Sequence, residues 1–268
     1  MDKKAARSTF PRYQPPRFPR CIFCEGEADS KEHLLPDWLR RALAEGDGDF
    51  VDIGWSEESG GEAAAICGRG NGGVNSIKLK CVCKVCNTKW MSGLQNAAKP
   101  VLRLLAVDGD WPSLTEDDRR RMARWAVMAS MVYDAADQAS TTITQASRSA
   151  FCENGEPPSN WVVWIGRRQD SSRDRWAGHV SYQEASGLPK HSQATAFGLA
   201  KATVMTFSSN FAPTFHPDWM AERLSLRAIW PQASPWFNEA PCRWRTERCE
   251  QAFYDFTKSL RLSGPNPP

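Results

Sequence analysis

The 268-residue chain has no run approaching the ~18 apolar residues of a membrane span. Its start, Met1 to Arg7, is basic but no apolar stretch follows, so a secretory signal is not expected and a cytoplasmic location is. Neither sign of charge dominates. The 34 Lys and Arg against 31 Asp and Glu leave a net +3, too little to announce a nucleic-acid partner by itself. There is no internal repeat, heptad run, P-loop, dinucleotide-binding glycine fingerprint or G-x-S-x-G elbow. With 41% hydrophobic and 24% charged residues, collagen-like and largely disordered classes are excluded. The length allows one large or two small domains.

Cysteine and tryptophan are plentiful, at nine and twelve. Nine is odd, so internal disulfides cannot pair every thiol. In a reducing compartment, clustered cysteines more often hold a metal. Cys67, Cys152, Cys242 and Cys249 are scattered and read as small buried hydrophobes. The tryptophans read as core.

Three regions follow from composition. Residues 1–20 form a basic arm with four prolines. Residues 21–107 form a first module, with a glycine-rich insertion over 46–73 that holds nine of the eighteen glycines. Residues 108–268 form a C-terminal α+β domain of unassigned role that packs on the module. A strand is expected from about Ser76 to Val82, and a helix from about Asn87. Pro100 reads as the first position of a separate helix. Thr115-Glu116-Asp117-Asp118 reads as the capped start of a long helix carrying Met122, Trp125, Ala129 and Tyr133. Strands are expected over Asn160–Gly166, Trp176–Gln183 and Arg223–Trp230. Ala194–Ser208 adds strand too, though Ala194–Lys201 is ambiguous with helix.

Cys21-Ile22-Phe23-Cys24 and Cys83-Lys84-Val85-Cys86 are two C-x-x-C knuckles with 58 residues between them. Two such pairs can give four thiolates to one tetrahedral Zn²⁺. Cys81 competes for a place in the second pair. Between the knuckles, Ser30-Lys31-Glu32-His33-Leu34-Leu35-Pro36 reads as a short strand that stops sharply. Neighbours on a regular strand face opposite ways, so Glu32 and His33 could reach one target only at a twisted strand end. Asn87-Thr88-Lys89-Trp90 follows the second knuckle directly.

Cys21/Cys24, Glu32-His33, Pro36, Cys83/Cys86 and Asn87, in this order, resemble the HNH endonuclease family. The resemblance covers about residues 21–95. It implies a zinc-stabilised ββα-metal module ahead of a helical segment and the α+β domain. It further implies metal-dependent hydrolysis of DNA phosphodiesters, with His33 as general base. Glu32 and Asn87 would hold one catalytic Mg²⁺ or Mn²⁺, and the zinc on the four cysteines would be structural. Defence against foreign DNA is a natural family-level role. This chain departs from the pattern in having Glu where Asp or His is usual, and a neutral Asn as the last ligand. The structural asparagine of the family would be Asn75 or Asn71.

From Ala63 to Val107 there is no Asp or Glu, yet Arg69, Lys78, Lys80, Lys84, Lys89, Lys99 and Arg103 occur. Lys78, Lys80, Lys84 and Lys89 are the candidate substrate contacts. The expected partners are nucleic acid, DNA favoured, with a homodimer allowed and no membrane. Arg119, Arg120, Arg121 and Arg124 read as solvated, and His179, His191 and His216 as structural or exposed. The competing reading is a non-catalytic zinc module that binds nucleic acid or protein.

Overall fold

The computed structural model describes residues 17–42, 53–56, 64–67, 78–136, 141–168, 175–183, 191–210 and 226–231. Strand β1 (Ser30–His33) pairs antiparallel with β4 (Lys78–Val82), with a bulge between Ser30 and Glu32. Helix α1 (Asp37–Ala42) follows the Pro36 stop. Within the glycine-rich insertion, β2 (Ile53–Ser56) and β3 (Ala64–Cys67) pair as an antiparallel hairpin. The rest of the insertion, Asn71 and Asn75 included, lies outside the described residues, as do residues 1–16 of the arm.

From Lys84 the chain is helical to Asp108. Helix α2 (Lys84–Cys86) runs through a π-helical turn, Asn87–Met91, into α3 (Ser92–Leu102) and a second π-helical turn, Arg103–Asp108. Pro100 therefore lies inside α3, not at the start of a new helix. Its missing N–H leaves the Asn96 carbonyl without a helical partner, but both residues are exposed, where water can serve that carbonyl. Just beyond, the Arg103 N–H is shared between the Lys99 and Pro100 carbonyls, and the second π-helical turn begins there. Gly109, at φ 73, ends the run. The Lys201 side chain fills the space a Cβ would need there, and its Nζ donates to the Asp108 carbonyl at 2.9 Å.

Helix α4 (Glu116–Asp134) opens with the expected cap. Asp118 N–H donates to Thr115 Oγ1 at 3.1 Å and Thr115 N–H to Asp118 Oδ2 at 3.2 Å. Helix α5 (Gln145–Asn154) leads to β5 (Trp161–Arg167), β6 (Arg175–Gln183), β7 (His191–Leu199), β8 (Ala202–Ser209) and β9 (Arg227–Trp230). These strands form one antiparallel sheet in the order β6-β7-β8-β5-β9. The ambiguous Ala194–Lys201 segment is strand β7 plus a tight turn at Ala200, φ 50. Ser192–Leu199 is buried on both faces, which erases the alternation that would have marked it as strand.

Helix α4 covers one face of this sheet. Trp125 and Tyr133 sit 6.0 and 6.3 Å from the Phe197 ring, and Ser130 Oγ lies 2.8 Å from Thr206 Oγ1. Helix α3 packs against α4. One hydrophobic cluster runs from Cys21, Phe23 and Leu35 through Met91 and Leu102 to Trp125, Phe197 and Ile229. The cysteine-bearing segment and the C-terminal sheet thus share a continuous core. Among the described residues no helix is long and apolar enough to cross a membrane.

Candidate metal centre

The two knuckles are built by backbone hydrogen bonds. In the first, Cys21 N–H donates to Gly26 O at 2.6 Å and Glu25 N–H to Cys21 O at 3.0 Å, with Glu25 at φ 59. In the second, Cys83 caps α2 and its Sγ accepts from Cys86 N–H at 3.3 Å. Asp29 Oδ1 accepts from Lys84 N–H at 2.6 Å, and Ile22 N–H donates to Cys81 O at 2.9 Å. These contacts draw the knuckles together. The sulfurs of Cys21, Cys24, Cys83 and Cys86 all lie within 4.8 Å of one another, and Cys24 Sγ is 3.6 Å from Cys83 Sγ. A tetrahedral ion with ~2.3 Å bonds to sulfur needs sulfurs about 3.8 Å apart, so the four thiols can hold a metal such as zinc.

Cys21 and Cys86 are buried, Cys83 is half-buried and Cys24 is exposed. Burial raises the Cys24 and Cys86 thiols. Burial opposes ionisation of Cys83 as well, but hydrogen bonds from the Cys86 backbone and the neighbouring thiols outweigh it and lower that thiol. Cys81 is not one of the four. It sits fully buried in β4, and burial pushes its thiol up to about 12.

The helical run from Lys84 lies across β1. Asn87 Nδ2 donates to Ser30 Oγ at 2.9 Å and to the Lys31 carbonyl at 3.1 Å, which engages both amide hydrogens. Two turns further on, Gln95 Nε2 donates to Glu32 Oε1 at 2.7 Å. Glu32 pairs with Leu79 across the ribbon and faces inward, 6% exposed. Burial pushes its carboxyl up to about 7 against the opposing pull of the Gln95 hydrogen bond. His33, half-buried, pairs with Lys78 on the other side of β1, and Lys78 and Lys80 are exposed there. Lys84 and Lys89 are exposed on the helix. Glu32 and Asn87 therefore meet the same strand–helix layer, while His33 faces away from it. Sequence reasoning missed Gln95. The signal was present as the stripe Asn87, Met91, Gln95 at helical spacing.

No family model, curated protein or solved structure matches this chain.

The arginines at the start of α4 are committed within the chain. Arg120 holds Glu156 in a fork at 2.7–3.0 Å, Arg121 pairs with Asp117, and Arg119 Nη1 donates to the Leu114 carbonyl at 2.7 Å. A second polar cluster lies buried between α4, α5 and the sheet. Asp134 Oδ2 is 2.5 Å from Arg148 Nη2, and Asp134 Oδ1 is 3.2 Å from His179 Nε2. His179 Nδ1 reaches Thr195 Oγ1 at 2.8 Å. All four residues are at most 3% exposed, which makes this a structural network and His179 a structural histidine. His191 has only its backbone described, and His216 lies outside the described residues.

Proposed function

We propose that the protein is a metal-dependent nuclease that hydrolyses phosphodiester bonds in DNA, with zinc on Cys21, Cys24, Cys83 and Cys86 as a structural clamp. The observation that carries this reading is the Glu32 carboxylate. It is buried between strand and helix, and its one donor among the described residues is the Gln95 amide. Ionising it there is costly, so the carboxyl holds its proton up to about 7, and a cation beside it would offset the cost of the charged form. Asn87 fits as the second ligand, because its amide nitrogen is fully engaged and Oδ1 is left to accept. Carboxylate and amide oxygens are the donors that suit Mg²⁺ or Mn²⁺. Glu32 and His33 face opposite sides of β1, so this reading requires the scissile phosphate at the strand end beyond His33, where such an ion, when bound, would polarise it and stabilise charge on the leaving oxygen.

The chain's own residues supply the rest. His33 ends β1 just before the bend at Leu34, and an imidazole ring nitrogen there would take the proton from the attacking water. Lys78 and Lys80, on the same side of the ribbon, would draw in the phosphate backbone. The four-thiolate site has no open position and serves to weld β1 and β4 to the helix.

A second reading, a non-catalytic zinc module for nucleic acid or protein, draws on one observation. Glu32 and His33 face opposite sides of β1. Plasmid cleavage with Mg²⁺ and Mn²⁺ separates the two readings, comparing the protein with His33→Ala at matched zinc content and thermal stability. The nuclease reading expects cleavage that falls at least ~100-fold in the variant. Binding without cleavage, or equal cleavage by both proteins, supports the second reading.

A further inference from the structure

The helical run from Lys84 to Asp108 has two sides. Asn87 and Gln95 bond to β1, with Met91 buried between them. Lys89, Gly93, Asn96, Lys99 and Arg103 are exposed at helical spacing on the other side. His33, Lys78 and Lys80 lie on the far face of the β1–β4 ribbon. The chain thus carries two basic surfaces, on opposite sides of one strand–helix layer.

The helix side differs from an ordinary solvated face. Among the described residues no ion pair engages Lys89, Lys99 or Arg103, whereas Arg120 and Arg121 on α4 each hold an acid. Asp29, at the start of the run, is engaged by the Lys84 N–H. Lys99 Nζ stands 5.5 Å from the centroid of the Trp38 ring, which steadies the cation at the surface. Gly93, mid-run, has open space where a Cβ would go. Glycine weakens a helix relative to alanine, and no neighbour in the fold requires it here, but it lets the backbone of another molecule come close.

We propose that this helix face is a second DNA-binding surface, which grips the duplex backbone away from the ribbon face. Lys89 and Arg103 are about 21 Å apart along the helix at ~1.5 Å per residue, a length that spans about six phosphates of one strand. A protein partner calls for an apolar centre. Here the centre is Gly93 and Asn96, and the exposed large apolar side chains, Val85 and Leu104, lie toward the ends of the run. The inference rests on the nuclease reading for its partner, but not on the metal centre or on catalysis.

Its test titrates the full chain with a short DNA duplex over a salt series, without Mg²⁺ or Mn²⁺, by fluorescence anisotropy. The triple variant Lys89→Gln/Lys99→Gln/Arg103→Gln should bind at least ~10-fold more weakly near ~0.1 M salt and reduce the salt slope of log K by about 3. Lys84 is kept because it adjoins Cys83. Gly93→Glu places an acid in the open space and should weaken binding at least several-fold, with no loss of melting temperature. Combined with Lys78→Gln/Lys80→Gln, the triple variant should weaken binding by the product of the two separate factors.

Unchanged affinity in either folded variant, triple or Gly93→Glu, overturns the proposal. So does an unmodified chain that does not bind the duplex at low salt. Tighter binding of duplex RNA, or displacement of the DNA by polyglutamate at equal charge concentration, also overturns it and points to RNA or to an acidic protein. Should the triple variant fail to fold, Gly93→Glu decides. Cleavage by the unmodified chain with Mg²⁺ is read separately. Weakened binding in the variants without any cleavage upholds the surface and sinks the nuclease reading, and cleavage with unchanged binding does the reverse.

Discussion

Gln95 Nε2 donates to Glu32 Oε1 at 2.7 Å, joining α3 to β1 beside the buried Leu79 and Met91. Burial raises the carboxyl from the usual 4.5 to about 7, against the lowering pull of that single bond. Between these values the folded chain holds a proton that the unfolded chain releases. Without added divalent ion, stability should therefore fall as pH rises from about 4.5 to 7 and level off above. The total for this group is at most about 3 kcal/mol. Glu32→Gln should flatten that part of the profile and be the more stable protein at pH 8, as read by urea denaturation across the range. An unchanged slope would assign the effect to another group.

The four-sulfur geometry makes a distinction among neighbouring cysteines. Serine at Cys21, Cys24, Cys83 or Cys86 should each reduce bound zinc below one per chain and lower the melting temperature. Cys81→Ala should keep a full zinc, because the Cys81 side chain points into the core of β4 and is not among the clustered thiols. Elemental analysis of the five purified variants checks this. Loss of zinc from Cys81→Ala alone would replace one ligand in the assignment.

Asp134 governs the stability of the α4–sheet contact. Burial by itself would raise its carboxyl, but the hydrogen bond from His179 and the charge of Arg148 outweigh burial and hold it below the ordinary carboxylate range. The folded pKa lies below the unfolded one, so this contribution is present above the unfolded value and lost as pH falls through the depressed folded value. Asp134→Asn leaves Arg148 buried without its counter-charge and should cost about 3–5 kcal/mol in chemical denaturation at neutral pH. A cost under 1 kcal/mol would mean that the network contributes little.

Lys78 and Lys80 are exposed, so glutamine at either should leave folding unchanged. If the ribbon face meets DNA, each substitution weakens binding evenly across sequences and reduces the salt slope of log K by about 1. Arg120→Gln should leave that slope alone, because Arg120 is held by Glu156. Fluorescence anisotropy over a salt series reads both effects. An equal loss at Arg120 would move the interface to α4.

The local pattern of the chain was enough for the short-range features. C-x-x-C spacing marked both knuckles, Thr115 to Asp118 marked a helix cap, and Pro36 marked the end of β1. Each depends on residues a few positions apart, and each appears where the pattern placed it. Pro100 misled, because a proline costs a helix less on an exposed side, and only the packing of α3 shows which side that is. Ala194–Lys201 stayed ambiguous with helix because burial on both faces removes periodicity, and the structure makes it strand.

Long-range contacts decided the rest. The β1–β4 register turns Glu32 inward and His33 outward, since a shift of one residue would exchange their faces. Three-dimensional closure chose Cys83 over Cys81. The docking of α5, far along the chain, brought Ser149 to the Phe23 carbonyl of the first knuckle. No local pattern in the chain carries that last contact, because only the core shared by helix and knuckle holds the two segments together.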